Sequence, residues 1–279
     1  MTVAASNSSS TLPVAERRRI RVPSVLAAEW IKMRSVRSTG WSVFAMTLIS
    51  LGVAIIAGIT VTHQWHTFGL EDRLTFDPTA ISLRGGLFVQ LVIGVLGVLV
   101  ISAEYGTLTI RATLSAVPHR PLVLAAKAVV FAVLTTIVGM VLSFGAFLIG
   151  QALLQSPAPH ATLSQPGVLR AVVGGGLLIP VFGLFALGLG AIVRHTAGAI
   201  TAYVGAVLVV PLIVEALPSS ISRPVIKFMP FAITNSMTSI RHTFDFGPTF
   251  SPWTGFIIMC AYALAALLIG GWLMVRRDA

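Results

Sequence analysis

The sequence predicts an all-α membrane protein with six transmembrane helices. Three observations carry that expectation. Of 279 residues, 56% are apolar and only 10% charged; soluble domains carry about 25% charged residues, enough to cover their surface. The apolar residues gather into six runs approaching or exceeding the roughly 20 residues that a helix needs to cross a ~30 Å hydrocarbon layer. The basic residues between those runs fall mainly on alternate connections. The mean hydropathy of +0.91 agrees. The apolar content excludes a disordered chain, and the single Cys excludes a disulfide scaffold.

The six runs cover residues 41–62, 87–103, 124–154, 168–193, 197–217 and 253–275. The second is short, and Gly85 and Gly86 can extend it. The third is too long; with Lys127 near its start, its first turn is expected at the interface, the ammonium reaching out to water. Only Lys127, Arg170 and Glu215 are charged inside the runs, each near an end. The expectation is therefore a membrane interior with no buried ion pair and no proton relay.

Orientation follows from Lys and Arg, which accumulate on the cytoplasmic side. Before the first run stand Arg17, Arg18, Arg19, Arg21, Lys32, Arg34 and Arg37. Alternate crossing adds Arg111, Arg120, Lys127, Arg194, Arg276 and Arg277 to that side, 13 of the 19 basic residues. The other side receives Arg73, Arg84, Arg170, Arg223, Lys227 and Arg241, partly offset by Glu71, Asp72 and Asp77. Both termini are expected in the cytoplasm of a multi-pass cell-membrane protein. The net charge of +10 then belongs to topology. Nucleic acid is not an expected partner, because no basic stripe is interleaved with aromatics.

Residues 1–22 read as a disordered basic tail, and 276–279 as a short cytoplasmic tail. The first apolar run is a full span, not the short core of a signal peptide, and is expected to stay in the mature chain. Residues 23–40 are expected to form an interfacial amphipathic helix, with Leu26, Trp30 and Met33 on one face and Lys32, Arg34 and Ser35 largely elsewhere. It serves as a lipid anchor, a partner contact, or both. Between the second and third runs, Thr107 to Ala116 can form a short helix that Pro118 stops. Glu104 sits at the membrane boundary, where a carboxylate is costly unless paired or solvated. Arg111 is its expected partner. An ordinary charged loop is the plain alternative.

Four stretches resemble the membrane subunits, or permeases, of ABC transporters of the ABC-2 type, in the six-span form of high-GC Gram-positive bacteria. They are AAEWIKMRSVRSTGW (27–41), SAEYGTLTIRATLSAVPHRPLVLAAKAVV (102–130), KFMPFAITNSM (227–237) and SPWTGFIIMCAYALAALLIGGWLMVRRDA (251–279). The loop and tail are the more specific matches. Leu108 departs from the family, which more often has Gly there and so starts its loop helix differently. The resemblance implies that residues 41–275 form a permease domain working in pairs, as a homodimer or with a related permease, above separate cytoplasmic ATPase subunits. It implies that the 104–120 loop holds a coupling helix, with Glu104, Tyr105, Thr109, Arg111, Pro118 and Arg120 toward the ATPase. It makes the 23–40 segment the connecting helix, carrying Glu29, Trp30, Lys32, Arg34 and Arg37.

The chain has no Gly-x-x-x-x-Gly-Lys-[Ser/Thr] phosphate loop. ATP and Mg2+ are therefore expected on the partner ATPase, with no cofactor in this chain. It is read as an exporter subunit and not as an enzyme. A non-transport anchoring or signalling subunit and a secondary transporter remain the alternative classes.

Other features weigh less. His63 and His66 near Glu71 and Asp72 fall short of a zinc site, which needs about four ligands. Cys260 reads as packing. Gly174, Gly175, Gly176, Gly183, Gly188 and Gly190 crowd the fourth run around Pro180, consistent with internal packing or with a dimer or moving face. Gln90, Thr135, Thr136, Ser143, Gln151, Thr201 and Tyr203 are polar residues that can face a cavity. The 218–252 segment is either a simple external loop or, by the resemblance, short helices dipping into the membrane.

Overall fold

A computed structural model describes residues 22–107, 109, 120–154, 156–241 and 249–276. All of its regular elements are helical. Six of the helical stretches are long and apolar enough to cross a membrane, making this a multi-pass architecture. The expected coupling helix lies, apart from Thr107 and Thr109, outside the described residues.

Helix α1 (Val22–Ser35) is separated from α2 (Arg37–Gln64) by Val36 alone, whose extended backbone (φ −78°, ψ 123°) makes the bend. The bend thus falls inside the 23–40 segment, and Arg37 opens the first span. After a helical turn at residues 65–67 come α3 (Leu70–Thr75) and α4 (Pro78–Leu83), then α5 (Gly86–Gly106). The short second run is thereby lengthened by α4 into one candidate span, Pro78–Gly106. Asp77 at the N-cap and Pro78 in the first turn start α4. The third span, α6, runs Arg120–Leu153, and the fourth, α7, Val168–Val193.

The fifth span is α8 (Thr196–Val204) and α9 (Val210–Glu215), joined by one wide π turn over Gly205–Val209. Pro211 accounts for that turn: its ring cannot fit against the preceding turn's carbonyl and it donates no N–H, so the helix widens ahead of it. The 218–252 segment then contains α10 (Ser219–Ile226) and α11 (Pro230–Thr238), and α12 (Pro252–Arg276) is the sixth span.

Helix α7 is the centre. In its most apolar stretch 67% of residues are buried, against 22% in each of α2 and α12. It packs on α5, α6 and α12, and its small residues make this possible. A Cβ on Gly188 would stand 2.7 Å from the Ala266 backbone of α12, so only glycine allows that approach. A Cβ on Gly174 or Gly183 would come closer still, to the Met237 or Phe131 side chain. These glycines serve packing inside one chain.

The polar residues of the spans also hold the bundle together. Ser143 donates to the Val172 carbonyl at 2.6 Å, tying α6 to α7. Gln151 donates to the Pro78 carbonyl and to Ser82 Oγ, tying α6 to α4. Tyr203 donates to the Gln90 carbonyl at 2.8 Å, and Gln90 donates to Thr234 Oγ1 at 2.9 Å. Thr135 and Thr136 bond to carbonyls of their own helix. Thr234 thus joins α11 to α5, and α11 also packs on α7 and α12. Among the described residues of the 218–252 segment, α11 is therefore packed helix, whereas α10 buries none of its residues.

Candidate functional site

One end of the bundle carries α1, the last turn of α5, the first turns of α6 and the last turn of α12. There, four charged side chains from three helices meet. Helix α1 turns Val25, Glu29 and Met33 inward, spaced four apart on one face. Trp30 is 39% exposed instead, so the inward face differs from the expected line through Leu26, Trp30 and Met33. Glu29 is the charged member of that inward line and is 2% exposed.

Lys127 receives it. Its Nζ stands 2.6 Å from Glu29 Oε2 and 2.9 Å from Glu104 Oε1. Lys32 Nζ, one turn along α1, stands 3.0 Å from Glu29 Oε1 and 3.1 Å from Glu104 Oε1. Each lysine thus touches both carboxylates, and the two positive and two negative charges close into a neutral ring. Two sequence expectations are corrected here. Lys127 does not reach out to water: it is 2% exposed and points into the bundle. A buried ion pair does exist within a span. The described partners of Glu104 are the two lysines, while Arg111 lies outside the described residues.

The physical reason is compensation. An isolated charge would be driven out of this apolar packing, but a neutral ring with short, charge-assisted hydrogen bonds can stay. Burial lowers the pKa of Lys32, and the hydrogen bonds and charges of Glu29 and Glu104 outweigh it, so the net shift is upward. Glu104 Oε2 is buried and has no hydrogen-bond partner among the described residues. The ring borders a cavity of about 430 Å³ that Ser38, Thr39, Thr107 and Thr109 also line.

The remaining expected site residues are dispersed. Tyr105, in the last turn of α5, lies under the Arg194 guanidinium, 5.2 Å from ring to carbon. Arg194 ends α7 in the left-handed region (φ 61°) and donates to the Leu273 carbonyl at 3.0 Å. Arg120 donates to the Met274 carbonyl at 2.8 Å, tying the start of α6 to the end of α12. Thr109 Oγ1 lies 2.9 Å from Thr107 Oγ1. Arg34 and Arg37 are exposed and outside the ring. Pro118, like Arg111, lies outside the described residues.

At the opposite end is a second charged arrangement that the sequence reading missed. Asp77 is 2% exposed. Its Oδ1 accepts from the N–H groups of Thr79 and Ala80, capping α4. Its Oδ2 accepts from the N–H groups of Ile240 and Arg241, at 2.6 and 3.0 Å. Arg170 donates to the carbonyls of Ser236, Met237 and Ser239. The α11 exit is thus held by a carboxylate on its N–H groups and a guanidinium on its carbonyls. The Asp-Pro pair was a readable cap signal; the long-range half was not. Between this clamp and Gln90 is a cavity of about 150 Å³.

No three or more His, Cys, Asp or Glu among the described residues gather as metal ligands. The chemistry on offer is mechanical: the ring couples the positions of α1, α5 and α6. No family model matches the chain, and no curated protein does.

Proposed function

We propose that the chain is the permease subunit of an ATP-driven exporter of the ABC-2 type. It works as a homodimer or beside a related permease, on a separate cytoplasmic ATPase that holds ATP and Mg2+. In this reading the α1 end of the bundle faces the cytoplasm. The observation that carries it is the shared ring: Glu104, where the second span runs into the 104–120 connection, and Glu29 of α1 grip the same Lys127 of the third span. A push on that connection by a closing ATPase pair reaches α1 and α6 together, and through them the packed centre. The four stretches that resemble ABC-2 permeases, 27–41, 102–130, 227–237 and 251–279, support the same reading.

The test is purification of the intact protein from its native membrane. A phosphate-loop ATPase should accompany it, and transport by the reconstituted complex should stop when hydrolysis is blocked. Purification without any ATPase, together with transport that persists without hydrolysis, would overturn the reading in favour of a secondary transporter. Absence of any transport would favour an anchoring subunit.

A further inference from the structure

Among the described residues, the cations at the α1 end are mostly engaged inside the protein. Lys32 and Lys127 neutralise Glu29 and Glu104. Arg120 and Arg194 bind carbonyls at the end of α12, and Arg276 lies over Trp272 at 4.3 Å. Arg34 and Arg37 differ. They flank the Val36 bend, are exposed, and make no hydrogen bond or ion pair among the described residues.

Arg37 heads an apolar stripe. Trp41, Phe44 and Leu48 follow it at helical spacing on the outer side of α2, 69%, 58% and 64% exposed. Thr39, Met46 and Ser50, on the opposite side, are buried in the bundle. Trp41 and Phe44 meet edge to face, with centroids 5.9 Å apart. Gly40 leaves the stripe open: nothing lies within 4 Å of where its Cβ would project. Arg37, Gly40, Trp41 and Phe44 together line an open groove.

We propose that this groove binds one anionic phospholipid from the leaflet at the α1 end. The phosphate sits on Arg37, with Arg34 adding positive potential across the bend, and an acyl chain runs down Trp41, Phe44 and Leu48. The complementarity is specific in order. A cation that no described residue neutralises stands at the helix start, where headgroups lie, and a continuous apolar track leads toward the hydrocarbon. A zwitterionic lipid fits the track equally well but brings no net charge for the arginines, each worth about 1 kcal/mol near an anionic surface, or about fivefold in binding. The inference does not depend on the transport reading.

The full-length protein is reconstituted into nanodiscs of equal phosphatidylglycerol and phosphatidylcholine, re-extracted gently, and its retained lipid counted by native mass spectrometry. Wild type is expected to enrich phosphatidylglycerol. Arg37→Gln should reduce that enrichment about fivefold, while Arg223→Gln, an exposed arginine of α10, should leave it unchanged. Trp41→Ala should lower retention of both lipids, and excess soluble glycerol phosphate should displace neither. Arg37 has no partner among the described residues, so its substitution should leave helicity and elution volume as in wild type. Equal enrichment in Arg37→Gln, equal loss in Arg223→Gln, or displacement by glycerol phosphate would overturn the proposal. So would a change of oligomeric state in place of a change in lipid, which would assign the groove to a second copy.

Discussion

Lys127 Nζ lies 2.6 Å from Glu29 Oε2 across 98 positions of sequence, and both side chains are 3% exposed. This pair ties α1, which precedes the first span, to the third span. It is buried deeply enough that losing one partner matters more than the pair's own net worth.

Lys127→Met leaves two carboxylates with only the partly exposed Lys32, and should cost about 3–5 kcal/mol. The double variant Lys127→Met with Glu104→Gln leaves a neutral Glu29–Lys32 pair and should recover much of that loss. Unfolding midpoints in detergent for wild type, single and double variants decide the matter. A double variant less stable than either single would contradict the neutral-ring account.

The alkaline limit of stability should report Lys32. Its pKa is raised above the ordinary 10.5 in the folded protein. Its stabilising contribution is therefore complete below the unfolded value and fades as pH rises through the folded one. Thermal scans should show a decline beginning above pH 10.5 that is smaller in Lys32→Gln. A variant that declines identically would show that other groups dominate there.

Asp77 separates into two halves. Asp77→Ala removes the α4 cap, at about 1 kcal/mol, and leaves the Ile240 and Arg241 N–H groups without their acceptor, at about 1–3 kcal/mol each where burial persists. Hydrogen exchange should then quicken both in α4 and at residues 239–241. Asp77→Asn retains an acceptor oxygen for α4 but presents NH2 to the second pair, so protection should return in α4 alone. Recovery at both places would mean the second contact contributes little.

Packing through glycine gives a contrast between two positions. Gly188→Leu drives a side chain into the Ala266 backbone and should destabilise by about 1–3 kcal/mol or more. Gly52, with nothing within 4 Å, should accept Ala at no cost and gain up to about 1 kcal/mol from helix propensity. Midpoints that move alike at both sites would remove α7 from the centre of the packing.

The six spans were legible because twenty apolar residues in a row have few other uses, and α7 matches its run residue for residue. The ring was not legible. Periodicity ranks faces by apolarity, and a face that includes Glu29 loses to one that includes Trp30. A lysine near a span end reads as reaching outward unless its partners, 98 and 23 positions away, are known. Asp77 followed by Pro78 was a local cap signal that could have been read. Its bonds to residues 240 and 241 depend on how α11 packs, which no local pattern carries. Glu104 reads as a boundary carboxylate in need of a partner, but the two lysines that meet it, 72 and 23 positions away, are beyond local pattern, and Arg111 lies outside the described residues.

The most direct test of the central claim is ATP hydrolysis by the complex of this chain with its copurifying ATPase, compared between wild type and Glu104→Ala at matched membrane levels. If Glu104 transmits between the ATPase and the spans, the permease-dependent stimulation of hydrolysis should fall about fivefold or more, the range of a coupling free energy of one kcal/mol upward, while insertion and assembly persist. Stimulation and transport at the wild-type level in Glu104→Ala would contradict the coupling role.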